Sequence, residues 1–421
     1  MKNLMNKKFI ICVILACAAS LIFIFVSIKL YDKYRYDHAT IDIKYYDYVD
    51  NKDDSYVKLE VYKDYSIRDI IKSINGKLID GNQKINTDEL GEKNVSYQYI
   101  NDENIKLDIN VKVKVVDSEA PLLYSNDRKT VYVGSKDELK NELFCGDNYD
   151  DKPKCSIEGN YDLNEAGVYP ITLKGEDSSH NKSEKKINLV VREKSKNDSS
   201  NTSSSKGSIT GTNFNYYKDM YTSSNSILGI DVSYWQDDID FEKVKAAGVN
   251  FVMIRVGYQK GFKGEYAEDK KFKEYIEGFN KVGIPVGIYF FSYAHSKSEA
   301  LREAKWTVNK IKKYKVDFPV VFDWENWNMY NEFNLSFYHL TEIANTYMNY
   351  IEKAGYTPML YSSKNYLENI WMNKDYDTWL AHYTANTDYK GDFRMWQISE
   401  KGIVDGIDNN NVDIDIYFRK K

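Results

Sequence analysis

Residues 319–326 read Pro-Val-Val-Phe-Asp-Trp-Glu-Asn. An apolar run this short, ending on an acidic–aromatic–acidic triplet, fits a strand buried on both faces that ends on chemistry. Pro319 stands just before the run, where a strand tolerates a missing donor. Side chains alternate along a strand, so Asp323 and Glu325 point to the same face. Seven further runs lie outward from this one: Ile227–Val232, Phe251–Val256, Val286–Ser292, Met359–Tyr361, Trp379–Tyr383, Phe393–Gln397 and Val412–Tyr417. Helical stretches separate most of them, among them Asp269–Val282, Ser298–Tyr314 and Ser336–Ala354. Strands alternating with helices predict an α/β domain with parallel strands. Over residues 222–421 the pattern predicts an irregular TIM-like barrel, because the last three runs lack full-length helices between them.

In such barrels chemistry gathers at the C-terminal ends of the strands. Asp231 closes the first run, Asp323 and Glu325 close the fourth, and Asp413 sits in the last. Carboxylates converging in a pocket repel one another, which raises a pKa and makes a general acid. That is the equipment for cleaving a glycosidic bond. Taken singly, each acid reads equally well as a solvated loop residue or a cation ligand. Other chemistries lack their residues. The five His (His38, His180, His295, His339, His382) form no zinc-ligand pair. The barrel region contains no Cys, and no nucleophile-elbow motif appears.

Several ordered motifs then coincide: Gly229-Ile-Asp-Val-Ser-Tyr-Trp-Gln236, Phe251-Val-Met-Ile-Arg255 with Gly257, Val286-Gly-Ile-Tyr289 with Ser292-Tyr293-Ala294, Phe322-Asp-Trp-Glu325, Tyr361-Ser362, Trp379-Leu-Ala-His-Tyr383, Trp396-Gln397 and Val412-Asp413. On these, residues 226–418 resemble glycoside hydrolase family 25, the lysozymes that act as N-acetylmuramidases. The resemblance implies a peptidoglycan hydrolase that cleaves the β-1,4 bond between N-acetylmuramic acid and N-acetylglucosamine, without a cofactor or metal. It makes Glu325 the general acid. It makes Asp323 the carboxylate that orients the substrate's 2-acetamido group, whose oxygen serves as nucleophile. Asp231 and Asp413 match the remaining acids. Glu325 is expected to have a pKa raised by burial and by the neighbouring acids. Tyr234, Trp235, Tyr289, Trp324, Tyr361, Trp379, Tyr383 and Trp396 lie in the matched motifs and are expected to line the glycan groove, where aromatic faces suit sugar C–H faces. Individually each reads equally well as core. Arg255 is expected to pair with a site carboxylate. The rival reading is a non-catalytic wall-binding protein on a lysozyme-like barrel.

The rest of the chain reads as presentation. Residues 9–28 are apolar apart from Ser20 and Ser27, long enough as a helix to cross one bilayer core. Lys2, Lys7 and Lys8 precede them, placing residues 1–8 in the cytoplasm and the catalytic domain outside. An uncleaved single-pass anchor in the cell membrane is expected, with cleavage, or lipidation at Cys17, as alternatives. Residues 1–35 carry a net charge of +5, which leaves −10 for the remainder of a chain whose total is −5. Such a balance excludes a dedicated nucleic-acid binder. Residues 37–116 and 117–193 alternate with period two, as in Tyr56–Tyr62, Ile105–Val116 and Lys186–Val191. The second segment resembles bacterial immunoglobulin-like modules, in Asp117-Ser-Glu-Ala-Pro121, Val133-Gly134, Asp147-Asn148 and Gly167-Val-Tyr169, and the first does so weakly. These segments read as a spacer or a contact for a wall or envelope partner. Cys145 and Cys155 flank a short polar loop; a disulfide there, contributing about 2–3 kcal/mol, is expected outside the cell, with two free thiols as the alternative. Residues 194–215 are a Ser-rich linker, expected to let the catalytic domain move relative to the stalk. A membrane tether points to local remodelling of the cell's own wall.

Overall fold

The computed structural model describes residues 2–46, 56–135, 139–194, 210–261, 264–372, 375–408 and 411–419. The linker expected at 194–215 falls mostly outside them. The chain divides into two compact units, Met1–Ser118 and Glu119–Lys421.

The first unit opens with helix α1 (Lys2–Asp37), whose segment Val13–Asp37 contains an unburied 18-residue stretch of mean hydropathy 2.5, long and apolar enough to cross a membrane. Beyond it, β1 (Val57–Glu60), β2 (Gly76–Leu78), β3 (Gly91–Asn101) and β4 (Lys106–Val116) form a four-stranded sheet in the order β1-β4-β3-β2, beside two short strand pairs, Ile43–Tyr45 with Ile71–Ile74 and Tyr65–Ser66 with Lys84–Ile85. Strands β3 and β4 form a long antiparallel hairpin in which Val95 faces Val111 and Tyr99 faces Leu107. Alternate residues of β4, Leu107, Val111, Val113 and Val115, are buried, as period-two patterning requires.

In the second unit, strands β5 (Leu122–Leu123), β6 (Arg128–Tyr132), β7 (Cys145–Gly146), β8 (Lys154–Glu158), β9 (Gly167–Glu176) and β10 (Lys182–Arg192) precede the barrel. They form a four-stranded sheet, β6-β10-β9-β8, and a short β5–β7 pair, around a core that includes Leu123, Val131, Ile171, Leu173, Ile187 and Leu189. Cys145 and Cys155 are joined by a disulfide.

The barrel strands are β11 (Ser226–Val232), β12 (Val252–Gln259), β13 (Val286–Ser292), β14 (Val320–Trp324), β15 (Pro358–Ser363), β16 (Asp377–Ala381), β17 (Met395–Ile403) and β18 (Val412–Phe418). Strands β11 to β17 run parallel, in chain order around the sheet. Strand β18 closes the ring by pairing antiparallel with both β17 and β11. This corrects the expectation of parallel strands throughout. Antiparallel neighbours need no crossover helix, which explains why β17 and β18 have none between them; β16 and β17, though parallel, are joined by residues 382–394 without a helix.

Helices α2 (Phe241–Ala247), α3 (Phe272–Val282), α4 (Lys297–Ile311), α5 (Phe337–Lys353) and α6 (Lys364–Asn369) lie between the parallel strands. Their ends follow capping chemistry. The Ser296 hydroxyl accepts from Glu299 N at the start of α4, and Ser336 does the same from His339 N at the start of α5. Gly283 ends α3 at φ +76°, a conformation open to glycine without a Cβ penalty.

Strand alternation divides the core in two. Val252, Ile254, Val256, Ile288, Phe290, Phe322, Leu360, Leu380 and Ile414 pack outward with the helices. Phe251, Met253, Val321, Met359, Tyr361, Trp379 and Met395 fill the barrel interior. Gly229 leaves room for that filling: a Cβ there would stand 2.6 Å from the Phe251 ring.

The strand module and the barrel pack directly on each other. Phe337 N, in the first turn of α5, donates to Asp147 O at 2.8 Å, and Ser336 N donates to Asp151 Oδ1 at 2.8 Å. Cys145 N donates to Asn331 Oδ1 at 3.0 Å, and Asn331 Nδ2 returns to Leu143 O at 2.9 Å. The Phe144 ring sits 4.8 Å from that of Tyr330. The expected mobility between stalk and catalytic domain therefore does not extend to residues 119–193. The disulfide-closed loop meets the start of α5 with backbone hydrogen bonds, a fit that linker composition does not reveal.

Candidate active site

Inward-facing residues at the C-terminal rim of the parallel strands line a cleft of about 190 Å³. Asp231, Arg255, Tyr289, Asp323, Glu325, Tyr361, Trp379, Gln397 and Asp413 all contribute to its wall, and Trp235 stands at its edge, 60% exposed. Asp413 reaches the rim for a reason the sequence reading did not contain. Strand β18 runs opposite to its neighbours, so a residue near its start lies beside Asp231 at the end of β11, and the two are register partners.

Gln397 is the hub of the polar network. Its Nε2 donates to Asp231 Oδ2 at 2.8 Å and to Asp413 Oδ2 at 3.4 Å. Its Oε1 accepts from the hydroxyls of Tyr361 at 2.9 Å and Tyr383 at 3.0 Å. Trp379 donates its indole N–H to Asp415 Oδ1 at 2.9 Å, beneath the cleft.

Burial sets the protonation of these acids. Asp231, Asp323 and Asp415 are all at most 6% exposed, and burial drives each carboxyl well above its ordinary range, with neighbouring carboxylates adding to the shift. Asp413 is pushed up to about 9, by burial first and by Asp231 next. Glu325 differs. Its side chain is exposed to the cleft, yet the walls strip enough water to raise its pKa. The hydrogen bond between Asp323 and Glu325 raises Asp323 and lowers Glu325. The expectation that neighbouring acids raise Glu325 is corrected in this respect: burial raises it, and the donated hydrogen bond opposes that.

Several expected contacts lie elsewhere. Trp324 is fully buried on the outer face of β14 and donates to Ala294 O at 3.0 Å. Trp396 is 6% exposed and donates to His382 O at 2.8 Å. Neither lines the cleft, because each is one residue out of phase with an inward-facing neighbour, Asp323 or Gln397. Tyr234 lies outside the lining; it stacks on Trp235 and under the Arg255 guanidinium, 5.1 Å from its ring centre. Arg255 does face the cleft, but its partner is Asp269, at 2.8 Å, and not one of the four acids. Asp269 also accepts from Tyr234 N at 3.2 Å, so this ion pair braces the loop that carries Trp235. Sequence reasoning missed Gln397, Asp415, Phe291, Ser233 and Gln236 as site residues. The period-two rule was the available signal for two of them: Asp415 shares a face with Asp413, and Gln397 with Met395. Among the described residues, the carboxylates of this cleft do not close into a group of three ligand atoms able to hold one metal ion.

Residues 230–407 match the family described as Glycosyl hydrolases family 25. The uncharacterized protein YegX of Escherichia coli strain K12 is 29% identical over 199 residues, which are 46% of this chain and 70% of that protein. The autolytic lysozyme of Clostridium acetobutylicum is 25% identical over 192 residues, 45% of this chain and 55% of that protein. The solved structure of the modular autolysin LytC from Streptococcus pneumoniae with a synthetic peptidoglycan ligand covers 82% of this chain and 75% of that chain, at 21% identity and a TM-score of 0.42.

Proposed function

We propose that this chain, whose C-terminal domain belongs to glycosyl hydrolase family 25, is a membrane-tethered lysozyme that cleaves the β-1,4 bond between N-acetylmuramic acid and N-acetylglucosamine. The observation that carries the reading is the convergence of Asp231, Asp323, Glu325 and Asp413 on one rim, with Glu325 alone of the four exposed to the cleft.

Glu325 gives its proton to the glycosidic oxygen as the bond to C1 breaks. Asp323 accepts a hydrogen bond from the substrate's acetamido N–H, and the acetamido carbonyl oxygen attacks C1 to give a cyclic oxazolinium ion. Water, deprotonated by the Glu325 carboxylate, then opens that ring and restores the acid. This route needs no enzyme nucleophile at bonding distance, an exception the two-carboxylate scheme allows. Asp231, Asp413 and Gln397 hold the floor of the cleft in place, and Trp235, Tyr289 and Tyr361 supply apolar surface for the sugar rings.

In this reading α1 anchors the protein in the cell membrane with its N-terminus inside. Residues 37–116 and the immunoglobulin-like segment 117–193 carry the barrel toward the wall, which suits remodelling of the cell's own wall. Digestion of purified peptidoglycan by the full chain in detergent, beside Glu325→Gln, tests the chemistry. Reduced products with new muramic-acid ends, absent with the variant, support it. New glucosamine ends, or undiminished activity in the variant, overturn the bond or the acid assignment.

A further inference from the structure

The polar rim continues past Glu325. Two residues on, the Trp327 ring stacks on Tyr366 with centroids 3.8 Å apart and planes inclined at 18°. Burial pushes the Tyr366 hydroxyl up to about 12, and the residues whose charge it feels are Tyr124 of the strand module on one side and Glu325 on the other. Around this stack lies a second cavity of about 140 Å³, walled by Tyr124 and Asn126 from the module and by Trp327, Asn365, Tyr366 and Asn369 from the barrel.

Its chemistry is specific. Aromatic faces alternate with side-chain amides, a group that can both donate and accept, although Asn369 Nδ2 already donates to Asn365 O at 2.7 Å. The single charged lining residue, Glu142, is paired with Lys129 at 3.0 Å. None of the described lining residues is Lys, Arg or His, so a stem peptide with free carboxylates finds no partner here. A neutral N-acetylhexosamine ring fits, with a C–H face for the aromatics and hydroxyl and acetamido groups for the amides. The volume lies below the roughly 300–1,000 Å³ of drug-sized sites, which limits it to about one ring.

The wall contributed by the module is held in place. Gly146 packs so closely that a Cβ would come within 2.7 Å of both Phe337 and Tyr330, and the hydrogen bonds of Asn331 and Asp151 fix the loop on the short helix Tyr330–Phe333 and on the start of α5. Asn126 is itself set by its amide donating to the Tyr124 hydroxyl at 3.2 Å.

We propose that this joint pocket is a distal glycan subsite, which binds one neutral N-acetylhexosamine ring of the strand being cleaved in the neighbouring cleft. It rests on the lysozyme reading and adds to it that the module takes part in substrate choice, favouring long strands over short fragments.

The test uses the full chain in detergent with Asn126→Ala and Asn369→Trp, neither of which lines the catalytic cleft. KM and kcat are measured on glycan strands of one disaccharide repeat and of four or more. Losing one hydrogen bond raises KM for long strands roughly five- to tenfold, with kcat and the short substrate unchanged; filling the pocket with Trp does the same or more. Unchanged KM for long strands in both variants overturns the subsite while leaving the lysozyme reading intact. Calorimetry with the N-acetylglucosamine tetramer on Glu325→Gln, with and without Asn369→Trp, reads the pocket independently of hydrolysis. Weaker binding with the Trp supports the proposal even if the wild type proves not to cleave, and equal binding overturns it.

Discussion

Glu303 offers a test of the barrel's electrostatics that is independent of catalysis. It lies on α4, fully buried, where its Oε2 accepts from the Ser292 hydroxyl at 2.6 Å. Burial pushes its pKa from 4.5 up to about 8, against the opposing hydrogen bonds from Ser292 and Tyr293. The folded state therefore keeps a proton that the unfolded chain has already lost between those two values. Stability must fall as pH rises through that window, and level off below 4.5 and above 8. A difference of about 3.5 pH units at ~1.4 kcal/mol each sets an upper bound of ~5 kcal/mol, and structural relaxation brings the expected loss to about 3–5 kcal/mol. Glu303→Gln keeps the shape and the acceptor while removing the titration. The stability gap between variant and wild type should thus move in favour of the variant by that amount from pH 5 to pH 8, about 10 °C in Tm for a domain of this size. All seven Trp lie between residues 235 and 396, so fluorescence-monitored unfolding reports on the barrel alone. The other buried acids act equally on both proteins and cancel in the difference. Midpoints that run parallel across this pH range would falsify the assignment of a neutral, buried Glu303.

Four further outcomes are expected. Glu325→Gln should lower kcat on peptidoglycan about 10²–10⁴-fold, as loss of a general acid does, with unchanged fluorescence-monitored unfolding; a residual rate near wild type moves the acid elsewhere. Because the acid must be protonated, wild-type kcat should decline as pH rises through the Glu325 titration, and a profile that climbs toward alkaline pH contradicts the role. Gln397→Leu strands the Tyr361 and Tyr383 hydroxyls and Asp231, which should cost about 2–4 kcal/mol of barrel stability and most of the activity, read by denaturant titration and muropeptide release. Replacing both Cys145 and Cys155 with Ser should destabilise the module by about 2–4 kcal/mol and speed proteolysis near α5; equal proteolysis rates mean the disulfide does not support that contact.

Much of this protein was legible because its information is local. Period-two alternation placed Asp323 and Glu325 on one face, and the same rule already excluded Trp324 and Trp396 from it. The eight apolar runs correspond to the eight barrel strands because strands buried on both faces must be continuously apolar. The apolar span inside α1 follows from composition alone, although the helix itself runs past the expected 9–28 at both ends, from Lys2 to Asp37. What no local pattern carried is direction and partnership. That β18 runs antiparallel, bringing Asp413 beside Asp231, depends on ring closure between the first and last strands, more than 180 residues apart. That Arg255 pairs with Asp269, that Gln397 bridges two Tyr hydroxyls and two carboxylates, and that burial raises both Asp323 and Glu325 are decided by three-dimensional approach. The docking of the disulfide loop on α5 is of the same kind: the backbone N–H of Phe337 meets the backbone carbonyl of Asp147, 190 residues away, through a hydrogen bond that carries no side-chain signature in the sequence. Chemistry along the chain is written in residue types and spacing, whereas electrostatics and the walls of a pocket arise only when distant segments exclude water together.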